Sequence, residues 1–238
     1  MSNDNTHFVG VVKALYRYPV KSMRGECIDR TRVWWHGLEG DRRYAFVRGG
    51  NTSRFPWLTA REVPAMLRYA AYFSNPGQPV DSPVRVRTPE GDELPVESDA
   101  LAQALANRYG GPVHLMQSGR GTFDSMGLSL ISMATLEALG EGAGLALDPL
   151  RFRPNILVET PGGEPFAEEA WIGRLLTFGA GDDSARIRAN RKDKRCMMVN
   201  LDPETARQDP SVLRQIAKER DTCAGIYGST EAPGNIRV

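Results

Sequence analysis

The feature that most constrains the fold is the punctuation of the apolar segments. Runs rich in Val, Tyr, Phe and Trp are short, and Gly, Pro or Asp interrupts them along all 238 residues, which include 24 Gly and 16 Pro. Such runs suit short strands joined by turns, not a doubly wound sheet. The pattern predicts strands over residues 8–16, 31–35, 43–47, 68–73, 84–87 and 113–116, then 155–159, 175–178, 186–188, 197–201 and 224–227. Three helices are also predicted. One opens at Ser98 or Asp99, turns Leu101, Ala102 and Leu105 inward and closes at Gly110-Gly111. One is capped by Ser132, carries Met133, Leu136 and Leu139, and is stopped by Gly140. One opens at Asp209-Pro210 and buries Val212, Leu213 and Ile216. The expected fold class is mainly β with a few short helices. Loop-like stretches at 74–83 and 119–127 put a boundary near residue 118, dividing the chain into 1–118 and 119–238.

Charge and cysteine content narrow the function. With 30 basic and 29 acidic side chains, the net charge of +1 argues against a nucleic-acid module driven by bulk charge. The three cysteines, Cys27, Cys196 and Cys223, stand apart with no Cys-x-x-Cys pair. That pattern excludes a structural zinc site, an iron–sulfur cluster carried by this chain alone and a disulfide framework. His7, His36 and His114 are equally scattered. No segment approaches a membrane span, and residues 1–6 lack the apolar core of a signal peptide. The expectation is a cytoplasmic monomer with no membrane or nucleic-acid partner.

The densest chemical signal runs from Arg186 to Cys196. Arg186, Arg188, Arg191, Lys192, Lys194 and Arg195 place six positive charges in eleven positions, opposed only by Asp193. Neighbouring cations favour a thiolate, which serves as nucleophile, redox group or soft metal ligand. The competing reading is a solvated basic loop beside a buried cysteine. Two turns add to the signal. Tyr18-Pro19-Val20-Lys21-Ser22 carries one of only five lysines, and Gly37-Leu38-Glu39-Gly40-Asp41-Arg42-Arg43 joins two strands. Such turns can converge on a phosphate or another oxyanion, or serve as ordinary hairpins. In Arg151-Phe152-Arg153-Pro154-Asn155-Ile156, Pro154 predicts an extended Arg153. Arg153 and Asn155 then share one strand face, presenting a guanidinium and a carboxamide to a planar polar ligand. The acids Glu168 and Glu169, beside Trp171, are expected to face solvent.

In this order, the motifs resemble the MOSC family, named for the C-terminal domain of molybdenum cofactor sulfurase. The match is best with two-part members such as the mitochondrial amidoxime-reducing component and its bacterial relatives. It rests on Tyr18-Pro19-Val20-Lys21-Ser22, Gly37-Leu38 with Asp41-Arg42-Arg43, Leu58-Thr59-Ala60-Arg61-Glu62, and the segment 129–132. It continues through Arg151-Phe152-Arg153-Pro154-Asn155-Ile156, Pro165-Phe166-Ala167-Glu168 with Trp171, Arg195-Cys196 and Asp202-Pro203-Glu204-Thr205.

The resemblance implies a smaller β-rich N-terminal domain followed by a MOSC β-barrel, with a molybdenum–molybdopterin cofactor held between them. It puts the metal-ligating, catalytic cysteine at Cys196. It puts cofactor contacts at Lys21, Ser22, Arg42, Arg153, Asn155, Lys194 and Arg195, and at Asp124, Ser125 and Met126 in the loop that meets the pterin phosphate. The implied activity is reduction of N-hydroxylated compounds such as amidoximes and hydroxylamines. Its electrons would come from separate proteins, a reductase with a ferredoxin or cytochrome, because this chain has too few cysteines for a fused iron–sulfur domain. The alternative implied is a sulfur carrier or cofactor-handling module with a persulfide on Cys196. Nothing resembles a desulfurase, so pyridoxal phosphate is not expected. Two departures stand out. Lys192-Asp193-Lys194 is more basic than the small and apolar residues usual in relatives, and the last segment, ending Ile236-Arg237-Val238, is shorter than in them.

Overall fold

The computed structural model describes residues 7–238; the polar opening segment, residues 1–6, lies outside them. The first strands are β1 (Val11–Arg17), β2 (Glu26–Ile28), β3 (Arg30–Trp34), β4 (Gly37–Leu38) and β5 (Tyr44–Arg48). Next come β6 (Ala70–Phe73), β7 (Val84–Arg87), β8 (Glu93–Pro95), α1 (Asp99–Tyr109) and β9 (Val113–Gln117). The second half holds β10 (Leu128–Ser132), α2 (Met133–Ala143), β11 (Ile156–Glu159), β12 (Leu175–Thr177) and β13 (Arg186–Lys194). It ends with α3 (Ser211–Arg220), β14 (Cys223–Ala232) and β15 (Gly234–Arg237). The chain is mainly β with three α-helices, as its punctuation predicts.

One seven-stranded sheet dominates, in the order β12-β13-β14-β10-β11-β1-β2. Its ladder is linear, so the barrel that the resemblance implies does not close by strand pairing among the described residues. All its pairs are antiparallel except β10 with β11. Smaller sheets join β15-β3-β4, β5-β9 and β6-β7-β8. Thus β1 and β2, from the start of the chain, complete the sheet built by its second half.

Three apolar clusters support this layout. Leu15, Val33, Leu38, Leu130, Ile156, Ile187, Ile226 and Ile236 fill the interior between the large sheet and the β15-β3-β4 sheet. Phe46, Met66, Phe73, Val86, Leu101 and Leu105 form the N-terminal core. Leu136, Leu139, Val212 and Ile216 pack α2 and α3 on the sheet through Ile131, Leu157 and Ala224.

Several predicted elements change. Residues 197–201 are not a strand: Met197–Asn200 forms a 3-10 turn. The reason is that consecutive residues serve different cores. Met197, Met198 and Leu201 pack on the N-terminal core and Val199 on the helical one. A single strand face cannot reach both. The strand from 186 extends to Lys194, because β14 pairs with it throughout despite three register shifts. Helix α2 passes Gly140 and ends at Gly144, whose φ of 70° makes a left-handed cap. The acids after Phe166 do not face solvent. Glu168 is buried, where it accepts the Ser132 N–H at 3.2 Å and the Thr135 hydroxyl at 3.0 Å. Glu169 is ion-paired with Lys192 at 2.6 Å and Arg220 at 2.7 Å. Cys27 is exposed on β2.

Candidate functional site

Loops from both halves of the chain meet at one cleft with about 790 Å³ of empty volume, part of it open to solvent. Lys21, Ser22, Arg42, Asp124, Ser125, Met126, Arg153, Asn155, Lys194, Arg195 and Cys196 all line it. The structure therefore brings together all eleven residues singled out from the sequence. Seven Lys and Arg line the cleft against two Asp. The near-neutral chain hides a local cationic site.

The backbone is bent hard to build it. Ser22, Arg42 and Arg153 have φ of 63°, 51° and 50°. Non-glycine residues avoid this left-handed region, so the surrounding hydrogen bonds must hold it. Arg153 is accordingly not on a strand, and the extended conformation expected ahead of Pro154 is not what forms. Asp41 is the organiser. Its buried carboxylate accepts the Tyr18 N–H at 2.7 Å and the Asn155 amide at 3.0 Å, and it pairs with Arg42. Tyr18 lies flat beneath both arginines, with guanidinium carbons 4.7 Å (Arg42) and 4.2 Å (Arg153) from its ring centre. Burial therefore raises the Tyr18 phenol well above its ordinary range.

The cations crowd one another. Burial pushes the Lys21 ammonium below its usual value; Asp124 partly offsets this, and Arg42 and Arg153 add to it. Lys21 pairs with Asp124 and donates to the Thr122 carbonyl at 2.5 Å. Burial, with repulsion from Arg42, pulls Arg153 down to about 10. Arg153 donates through Nη1 to the Met23 carbonyl at 2.8 Å, while its Nη2 is buried with no acceptor. Clustered cations with an unused donor are stabilised by an incoming anion.

Other residues expected at the cofactor have protein partners of their own. The Asn155 carboxamide is committed to protein: Oδ1 accepts the Ser129 N–H at 3.2 Å, and Nδ2 donates to the Tyr16 carbonyl and to Asp41. Arg195 turns inward, donating to the Ala224 carbonyl at 2.8 Å and the Phe152 carbonyl at 2.7 Å. Gly225 makes room for it, since a Cβ there would come within 3.2 Å of Arg195 Nη2 and 2.5 Å of the Leu130 carbonyl. The Asp124 carboxylate is a partner for Lys21 and would repel a phosphate, so only backbone or neighbouring donors of that loop suit an anion. Lys194 and the thiol of Cys196 are exposed. Cys196 also precedes the Met197–Asn200 turn, which fixes it at the cleft.

Ser129, Tyr227, Arg151, Arg61 and Asp193, which were not among the predicted site residues, also line the cleft. Ser129 and Tyr227 are partners across β10 and β14, and Asp193 follows on β13. Strand register brings these residues together, and no local motif encodes it. Among the described residues no group of three or more His, Cys, Asp or Glu side chains is placed to hold a metal ion. No helix among them is long and apolar enough to cross a membrane.

The residues present fit an anionic cofactor with a soft metal: a cationic cradle, an unsatisfied guanidinium donor and an exposed thiol on one cleft. Comparison with known proteins agrees at the level of family. The profile of the MOSC N-terminal beta barrel domain matches residues 9–125, and that of the MOSC domain matches residues 121–238. No curated protein matches. Among solved structures, the YuaD protein from Bacillus subtilis shares 14% identity at a TM-score of 0.50, over 97% of this chain and 92% of that one. YiiM from Geobacillus stearothermophilus shares 12% identity at a TM-score of 0.34, over 47% of this chain and 50% of that one. MOSC domains are associated with molybdenum-cofactor-binding proteins. With both family profiles matched in order along nearly its whole length, this chain belongs to the two-part MOSC proteins.

Proposed function

We propose that the cleft holds a molybdenum–molybdopterin cofactor and that the protein reduces N-hydroxylated compounds, such as amidoximes and hydroxylamines, to amidines and amines. The observation that carries this reading is the crowding of Lys21, Arg42 and Arg153 in the cleft that Cys196 also lines. Lys21, Arg42 and the free Nη2 of Arg153 would bind the anionic groups. Cys196 would be the one protein ligand of the metal, whose other ligands would then come from the cofactor. Asp41, Asn155 and Arg195 would keep the cradle in shape. The cofactor, when bound, supplies the two-electron chemistry. The electrons would come from a separate reductase acting through a ferredoxin or cytochrome.

The test is metal and pterin content after expression in a host that makes the cofactor. Near-stoichiometric molybdenum and pterin in the wild type, with the metal lost in Cys196→Ala, is the expected result. Pterin-free protein carrying a persulfide on Cys196 would overturn it in favour of a sulfur carrier. Loaded protein that fails to reduce benzamidoxime with a reduced dye would overturn the reaction and leave the cofactor assignment standing.

A further inference from the structure

We propose that Asp193, backed by Tyr227 and Ser129, is the proton-holding residue of the cleft and passes a proton to the oxygen that leaves the substrate nitrogen. The proposal rests on the reductase reading above. It starts from the departure Lys192-Asp193-Lys194, where the exposed pattern of β13 is broken by one buried acid.

Among the described residues, only two acids line the cleft. Asp124 is half-exposed and tied to Lys21. Asp193 is 1% exposed. Its Oδ2 accepts the Ser129 hydroxyl at 2.8 Å and lies 2.9 Å from Arg195 Nη2. Its Oδ1 is buried with no hydrogen-bond partner. A carboxylate kept only for an ion pair would have both oxygens satisfied, because a buried unpaired acceptor is costly. A protonated Oδ1 would remove that cost by becoming a donor, and Asp193 is one of the residues that line the cleft.

The surroundings support a held proton. Burial raises the Asp193 carboxyl above its ordinary 3.8, and Arg195, Ser129, Tyr227 and Arg42, the groups that face it, only partly oppose this. Tyr227 lies beside the same carboxyl and is itself raised by burial and by Asp193, so it stays protonated. The overall conversion is R–NH–OH + 2 e⁻ + 2 H⁺ → R–NH₂ + H₂O. The N–O bond breaks, and both electrons come from the electron-carrier protein. One proton leaves Asp193 Oδ1 for the departing oxygen, and water at the cleft mouth restores it. The second proton comes from solvent.

The direct test is a side-chain carboxyl ¹³C NMR titration of the cofactor-free protein, with the Asp193 resonance assigned by its loss in Asp193→Asn. A midpoint above the ordinary 3.8 is expected, rising further in Tyr227→Phe, which removes a neighbouring phenol that opposes the rise. A midpoint at or below 3.8 overturns the proposal. In loaded enzyme, Asp193→Asn should lower kcat about 100-fold or more with KM and molybdenum content within about twofold. It should also remove the fall in kcat as pH rises through the Asp193 midpoint. Unchanged kcat overturns the role. If Asp193→Asn does not fold, Asp193→Glu assigns the resonance by its shift and reads the fall in kcat, and Tyr227→Phe reads the raised midpoint. Loaded wild type without reductase activity overturns the reaction and the proton's destination together, whereas an ordinary titration in an active enzyme overturns Asp193 alone.

Discussion

At the scale of single residues, the cleft separates side chains that wait for a ligand from side chains spent on shape. Asn155 belongs to the second group. Removing its carboxamide leaves the buried Ser129 N–H without its Oδ1 acceptor and takes away one of the two donors to the buried Asp41 Oδ2, which keeps Arg42. Asn155→Ala should therefore cost about 2–4 kcal/mol, read as a lower midpoint in urea unfolding of cofactor-free protein. Lys21 belongs to the first group, and its burial has a pH signature. Its folded pKa lies below the unfolded value, so in that alkaline window the unfolded chain binds more protons than the folded one. The contribution of Lys21 to stability therefore rises with pH there, as the folded ammonium sheds its proton first. Unfolding curves between that folded value and 10.5 should show this rise in wild type and not in Lys21→Met. A parallel pH dependence in the two proteins would contradict the placement of the charge. The residue types of the site were legible: Lys21, Arg42, Arg153 and Cys196 stand in short, ordered motifs. Their work was not. The positive φ of Arg153, and the inward turn of Arg195 onto the Ala224 and Phe152 carbonyls, depend on partners distant in sequence.

At the scale of elements, strand existence was easier to read than strand use. The alternating segments at 84–87 and 113–116 form β7 and β9 almost as predicted. The basic run reads locally as a solvated loop, yet Arg186–Lys194 is a strand because β14 supplies its partners. The apolar run at 197–201 reads as a strand, yet it turns because two cores compete for it. Glu168 shows the same limit. Its neighbours suggest an exposed acid, but the N-terminus of α2 needs an acceptor in a place that water does not reach. Ser132 caps that end through the Thr135 N–H at 3.1 Å, and Glu168 takes the Ser132 N–H. Glu168→Ala should destabilise the protein by about 2–4 kcal/mol. Hydrogen exchange should locate the loss, with protection falling first in the opening turn of α2. Protection lost uniformly over the chain, or not at all, would count against the cap.

At the scale of the molecule, both halves of the chain build both the sheet and the site. Strand β1 covers β11 over the register from Val11 with Glu159 to Leu15 with Ile156. A fragment of residues 119–238 alone would expose that edge and the apolar face beneath Leu15, which invites aggregation. Expressed alone it should be aggregated or lack dispersed NMR signals, and co-expression with residues 1–118 should restore a soluble complex. A monomeric, folded fragment would show that the sheet does not need the opening strands. The cleft makes the same demand, since Lys21 and Arg42 come from one half and Arg153 and Cys196 from the other. A cofactor bound there would tie the halves together, so loading should raise the thermal midpoint of the whole protein in one transition.

On the proposed reading, this cationic cleft presents Cys196 to the metal of an anionic cofactor. X-ray absorption at the molybdenum edge, on protein loaded in a cofactor-competent host, tests it most directly. Wild type should show a sulfur shell that loses one scatterer in Cys196→Ser. An identical sulfur shell in both proteins would contradict it.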